Sequence, residues 1–219
     1  MGEEHAAERH PDAENPPARI SLREELGGVP DPDFTVALPP GWEQRGVDED
    51  EQARMVGAVR NRLMQANRPD IYARVRKMAG EAFDQMRKQS TVAMFVPREG
   101  SGALVLPASL MASIRHAEGS DNLDALVRSA IVNHGATPLF DDKRFLRMER
   151  DTMENVDGEH LGVTTVVYLT PIPGSERRRA LQFTAVVMRP ADAPVDDPPV
   201  VAMKTLFDLC VSSVSWMPA

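Results

Sequence analysis

Two β-forming runs joined by a turn constrain this chain more than any other feature. Leu161 to Thr170 is dense in β-branched and aromatic residues, and Ala180 to Met188 alternates in polarity. A period of two puts Leu181, Phe183, Ala185 and Val187 on one face, and Gln182, Thr184, Val186 and Met188 on the other. The spacing predicts an antiparallel hairpin with one face firmly buried and the other partly covered. The connecting stretch Pro171–Arg179 carries Gly174 and a basic tip of Arg177, Arg178 and Arg179.

The 219 residues suffice for one substantial core. A net charge of −8 keeps the chain soluble and argues against a general nucleic-acid binder. No run of roughly 18 apolar residues exists to span a membrane. The first residues are acidic and polar without an apolar signal core, and the only cysteine, Cys210, sits among apolar neighbours. These features predict a cytoplasmic protein with a buried structural thiol, no disulfide and no cysteine-based metal site.

Residues 1–32 hold eight acidic and three basic groups, a balance of 3 − 8 = −5, with few large apolar side chains. They are predicted to form a disordered acidic tail, in which Ile20, Leu22 and Leu26 are the only material for a docking turn. Residues 33–219 are predicted to be a single domain. Its first strand, Phe34–Leu38, runs into Pro39, Pro40 and Gly41, a turn that swings Trp42 back as a core anchor.

The region Asp48–Gln89 reads as an inserted helical pair. Acidic residues 48–51 complement a helix dipole, and Met55, Val59 and Leu63 form one stripe. Asn67 is predicted to cap a second helix opened by Pro69, with Ile71, Val75, Met78, Ala82 and Met86 as its stripe. Between Gln52 and Gln89 nine basic residues face three acidic ones, 9 − 3 = +6. Such a run is a solvated helix face or an electropositive contact surface, which the acidic tail is positioned by charge to mask.

Strands are then predicted at Thr91–Val96 and Ala108–Ile114, with Pro107 favouring an edge or bulge. A helix follows Gly119-Ser120-Asp121 and closes at Gly135. Phe145–Val156 alternates charged with medium-sized residues, so one side of it is expected to be wet. The last helix carries Val200, Met203, Leu206, Phe207 and Cys210 on one stripe, and the chain then reaches Trp216.

No metal, phosphate-loop, nucleophile-elbow or dinucleotide pattern is present, so neither cofactor nor metal is expected. His116, His134 and His160 stand apart from any sequence-local nucleophile, and Glu159-His160 reads as a solvated pair.

The strand leading to Pro39-Pro40-Gly41-Trp42, and the closing helix that ends in Ser212-Ser213-Val214-Ser215-Trp216, resemble the PsbP-like superfamily, including its LpqN-like members. The resemblance covers roughly residues 33–47 and 90–217. It implies an α/β/α sandwich and an accessory or binding role, associated in some members with actinobacterial secretion or envelope machinery. It supplies no catalytic residues. The helical pair is large for that family, and no secretion signal or lipid-acceptor cysteine stands near the start.

The expectation is therefore an α+β domain: a twisted antiparallel sheet of about six strands flanked by helices. Its expected role is non-enzymatic binding of another protein with an acidic surface. The residues expected at that contact are Arg60, Arg62, Arg74, Arg76, Lys77, Arg177, Arg178 and Arg179. An apolar-ligand carrier lined by Met78, Met86, Met94, Met111 and Met188 is the alternative, and a cryptic hydrolase is the remote third.

Overall fold

The computed structural model describes residues 31–98, 106–117, 122–156 and 158–217. The acidic segment 1–30, the far side of the Pro97–Gly102 turn and the Gly119-Ser120-Asp121 helix start lie outside the described residues.

The predicted hairpin is the centre of the fold. Strands β7 (Glu159–Pro171) and β8 (Arg179–Pro190) pair antiparallel from Leu161 opposite Pro190 to Pro171 opposite Ala180. Leu181, Phe183, Ala185 and Val187 are buried to 1% exposure or less, while Thr184 and Val186 are half-buried and Met188 is exposed. Around this pair grows an antiparallel sheet of seven strands, in the order β2-β3-β4-β8-β7-β6-β5. The others are β2 (Trp42–Arg45), β3 (Thr91–Pro97), β4 (Ala108–His116), β5 (Thr137–Leu139) and β6 (Asp142–Val156). The class is α+β, with one strand more in this sheet than expected. Two short strands in it were not expected, β2 and β5, while the expected first strand lies outside it. The Trp-Glu-Gln-Arg sequence of β2 shows no apolar alternation, and its ladder with β3 supplies the order that its residues do not.

The predicted first strand is shorter than expected and belongs elsewhere. β1 (Phe34–Thr35) pairs only with β9 (Ser215–Trp216), as a separate two-stranded ribbon. Pro107 is not at an edge: it precedes β4, a central strand, and its carbonyl accepts from Met188 N at 2.9 Å.

One face of the sheet is closed by helix α4 (Pro198–Ser212), which buries Val200, Met203, Phe207, Cys210 and Val211. Trp42 stands edge-on to Phe207 at 5.6 Å, and Phe34 bridges Phe183 and Trp216 at 5.8 and 6.0 Å. Both tryptophans thus pack with the same core, and burial pushes the Cys210 thiol upward from its ordinary pKa. The side of β6 expected to be wet is covered only in its first part, at Arg147 and Glu149, while Asp151, Met153 and Asn155 farther along are exposed. Asp208 of α4 accepts from Tyr168 Oη at 2.6 Å and from Arg147 Nε at 2.8 Å, while Lys204 donates to Glu149 at 2.9 Å. Half-buried charges are tolerated when paired in this way.

Among the described residues the opposite face carries helices only at its two ends. Helix α3 (Asp124–His134) lies against β6 and β7. It ends at Gly135, whose φ of 64° is the left-handed C-cap the sequence predicts. Helices α1 (Glu49–Gln65) and α2 (Pro69–Lys88) are rooted near β2 and β3. Among the described residues no helix is long and apolar enough to cross a membrane.

Candidate protein-binding surface

The α1–α2 hairpin starts from local chemistry. Asp48 Oδ1 accepts from Glu51 N at 2.8 Å, which caps α1, and Glu49, Asp50 and Glu51 fill its first turn. The turn between the helices departs from expectation. Asn67 takes φ 58° and closes the end of α1, with Arg68 N donating to Leu63 O at 2.8 Å. Arg68, not Asn67, therefore stands at the N-cap of α2, just before Pro69. Asparagine tolerates the left-handed region better than other non-glycine residues, which decides its place.

The hairpin is clamped only at its root. Glu51 is 7% exposed and holds Arg45 of β2 at 2.9 Å, together with Arg54. The hydrogen bond that Arg45 donates to Glu51, with help from Glu43, raises the Arg45 pKa, and the same network lowers that of Glu43. Arg87 closes the clamp, donating to Gln52 Oε1 at 3.2 Å. Phe83 of α2, 3% exposed, is buried at the same root. The seam runs through Ile71, Val75, Ala79, Phe83 and Met86; Met78 and Ala82, expected on it, are exposed.

Above the root the hairpin is barely packed. From Gln52 to Ala82 no described side chain is buried. Met55, Val56, Val59, Leu63, Ile71 and Val75 are half-buried, and Met64 and Met78 are exposed. The two helices line a furrow of about 730 Å³ with Gln52, Val56, Tyr72, Arg76, Lys77 and Arg87. Arg76 therefore lies beside half-buried apolar surface, and Lys77 is only loosely engaged by Glu81 at 3.9 Å. Arg60 and Arg74 are exposed on the same hairpin, outside the furrow lining, and Arg62 belongs to α1.

The other predicted contact residues stand apart from these. Arg179 is largely covered and pairs with Asp31, while Arg177 pairs with Asp124 at the start of α3. The main chain of this loop is also occupied: Ala117 N donates to Arg178 O at 2.8 Å, and Leu123 N donates to Arg177 O at 2.9 Å. The expected basic tip is thus divided between loop anchoring and exposed charge at Arg177 and Arg178.

A second cleft, of about 370 Å³, opens between α3 and the sheet. It is lined by Leu123, Val127, Ile131, Leu146 and Leu169, with Lys143 among its lining residues; none of the five methionines suggested for a carrier lines it. Met94 is buried, Met86 and Met111 are half-buried, and Met78 and Met188 are exposed. His116, His134 and His160 are all exposed, and none has a side-chain hydrogen bond or ion pair among the described residues. Among those residues no three His, Cys, Asp or Glu side chains are grouped to hold a metal ion. The chain matches no known protein-family model and no curated protein sequence.

Proposed function

We propose that this protein is a non-enzymatic binding module, and that its α1–α2 hairpin docks another protein with an acidic surface. One observation carries the reading: 31 consecutive positions from Gln52 to Ala82 hold no buried described side chain, yet display a half-covered apolar seam. Isolated helices of this length are marginal in water and gain stability by packing an apolar face. The excess of nine bases over three acids selects an acidic partner. The positions of Trp42 and the closing helix support a PsbP/LpqN-type sandwich. That resemblance in turn favours an accessory role beside secretion or envelope machinery, which we place on the cytoplasmic side.

Photo-crosslinking in the source cells tests this. A crosslinker at Met64 or Arg76 is expected to capture one defined protein, with capture falling as salt rises and in Arg60→Glu/Arg76→Glu. Equal capture from a crosslinker on exposed Val132 of α3, or no loss on charge reversal, would reject the hairpin as the docking surface.

A second reading, an apolar-ligand carrier, rests on the α3 cleft, whose volume falls in the range of small-molecule sites. A small molecule retained in native mass spectrometry, and lost in Val127→Trp, would favour it.

A further inference from the structure

Strand β6 is 15 residues long, but only its first part has a neighbour on the outer side. β5 pairs with it at Asp142, Leu146 and Arg147. From Met148 to Val156 the strand keeps unbroken register with β7 on its inner side. No strand lies against its outer side among the described residues. Nine residues of edge extend about 30 Å. Such an edge is a template for another strand unless proline, a bulge or charged side chains, lysine above all, block it. Met148–Val156 contains no proline, lysine or bulge. Of its four charges, Glu149 and Asp151 face Arg147, Lys204 and Arg189, while Arg150 and Glu154 are exposed.

What it contains is a pattern that complements itself. Laid antiparallel against a second copy and centred on Thr152, Arg150 falls opposite Glu154, Met148 opposite Val156, and Thr152 opposite its own counterpart. Glu149 meets Asn155, and Asp151 meets Met153. Opposite charges, paired hydroxyls and apolar pairs are the combinations that stabilise directly facing positions in antiparallel strands. The nearest registers that keep each face on its own side are two residues away and worse: one opposes Asp151 to itself, and the other sets Arg150 opposite Val156 and Thr152 opposite Glu154. Arg150 and Glu154 are exposed and lie on the same face. Neither has a hydrogen-bond or ion-pair partner among the described residues.

We propose that the chain forms a two-fold dimer by antiparallel pairing of β6 with β6 of a second copy, centred on Thr152 and bracketed by two Arg150–Glu154 pairs. The symmetry is closed, so the edge is consumed without propagating a filament. The α1–α2 hairpins are rooted at the other end of the sheet, beside β2 and β3, so both stay available in the dimer. A bivalent module gains avidity for a repeated or paired partner without any new contact.

Sedimentation velocity and native mass spectrometry on the full chain test this. The unaltered protein is expected to be a dimer. Arg150→Glu and Glu154→Arg are each expected to weaken it at least about tenfold by creating two like-charge pairs. The doubly swapped chain, Arg150→Glu with Glu154→Arg, is expected to recover it. A monomer at every attainable concentration overturns the proposal, as does a dimer indifferent to either single reversal. Loss in both single variants without recovery in the double overturns the register. Circular dichroism melting checks that each variant folds. Hydrogen exchange on the unaltered chain gives an independent reading: protection at 148–156 rises with protein concentration, and exchange independent of concentration contradicts the dimer.

Discussion

The β7–β8 and α1–α2 hairpins are both built from consecutive elements joined by a short turn, and both carry regular apolar stripes. In the first, Leu181, Phe183, Ala185 and Val187 are shut away from water; in the second, nothing described between Gln52 and Ala82 is buried. The difference lies in what covers each stripe. The strands have α4 and the aromatic cluster of Trp42, Phe207 and Phe34 above them, whereas the helices have mainly each other. An apolar stripe in a sequence states a demand for cover, and only the fold shows whether the chain meets that demand itself.

Cutting an apolar side chain from each hairpin separates the two most. Phe183→Ala removes a fully buried ring that contacts Phe34 at 5.8 Å, and is expected to cost about 3–5 kcal/mol in denaturant unfolding. Leu63→Ala, in the half-covered seam, should cost well under half as much. Equal losses would mean that the hairpin is as fully packed as the core.

A smaller effect is expected at Gly162. The Arg189 side chain crosses this position so closely that a Cβ would stand 2.5 Å from its guanidinium carbon. Arg189 is 7% exposed and has little room to retreat. Gly162→Val is therefore expected to destabilise by about 1–3 kcal/mol through overpacking, read as a lower denaturation midpoint at unchanged slope.

How much of this was legible in the sequence varies by element. β7, β8 and α4 were readable because alternation and the four-residue stripe coincide with what is buried. β2 was not, since an edge strand with Glu43 and Gln44 in it takes its order from β3. In α2 two apolar lines compete, through Met78 and Ala82 or through Ala79 and Phe83. The second wins because Phe83 finds cover at the root of the hairpin. Spacing alone does not contain that choice, although the run 71, 75, 79, 83 was available to a stricter count by fours. The charged alternation of β6 looked like a wet face because its partners, Lys204 and Asp208, lie over fifty residues away. For the candidate surface, the charge excess was legible and the poor cover of the seam was not.

The covered end of that contrast titrates. Burial pushes the Glu149 carboxyl upward, but hydrogen bonds from Lys204 and Arg147 outweigh it, and the net shift is downward. A depressed carboxylate contributes stability that is present above its unfolded pKa and is lost as pH falls through the folded one. Stability should therefore decline with acidification below about pH 4.3, the ordinary range of glutamate. Glu149→Gln is expected to remove this part of the slope, at a cost near neutrality of no more than about 1 kcal/mol for a partly exposed network. An unchanged acid limb in the variant would place the titration elsewhere.

The smallest effect bears most directly on the uncovered hairpin. Gly57 lies inside α1 with open space where its Cβ would be, and at Gly80 of α2 a Cβ would meet only Gln52 Nε2, at an ordinary 3.8 Å. Neither helix needs its glycine for a turn or a close approach. Gly57→Ala should therefore stabilise the hairpin by about 0.5–1 kcal/mol, slowing amide exchange in α1 and α2 by about two- to fivefold. If the hairpin opens as its own unit, exchange in β7 and β8 stays the same, because those amides are released only when the sheet itself unfolds. Slowing that spreads equally into the sheet would make helices and sheet one cooperative unit. The hairpin would then draw its stability from the core, and its half-covered seam would no longer point to an outside partner.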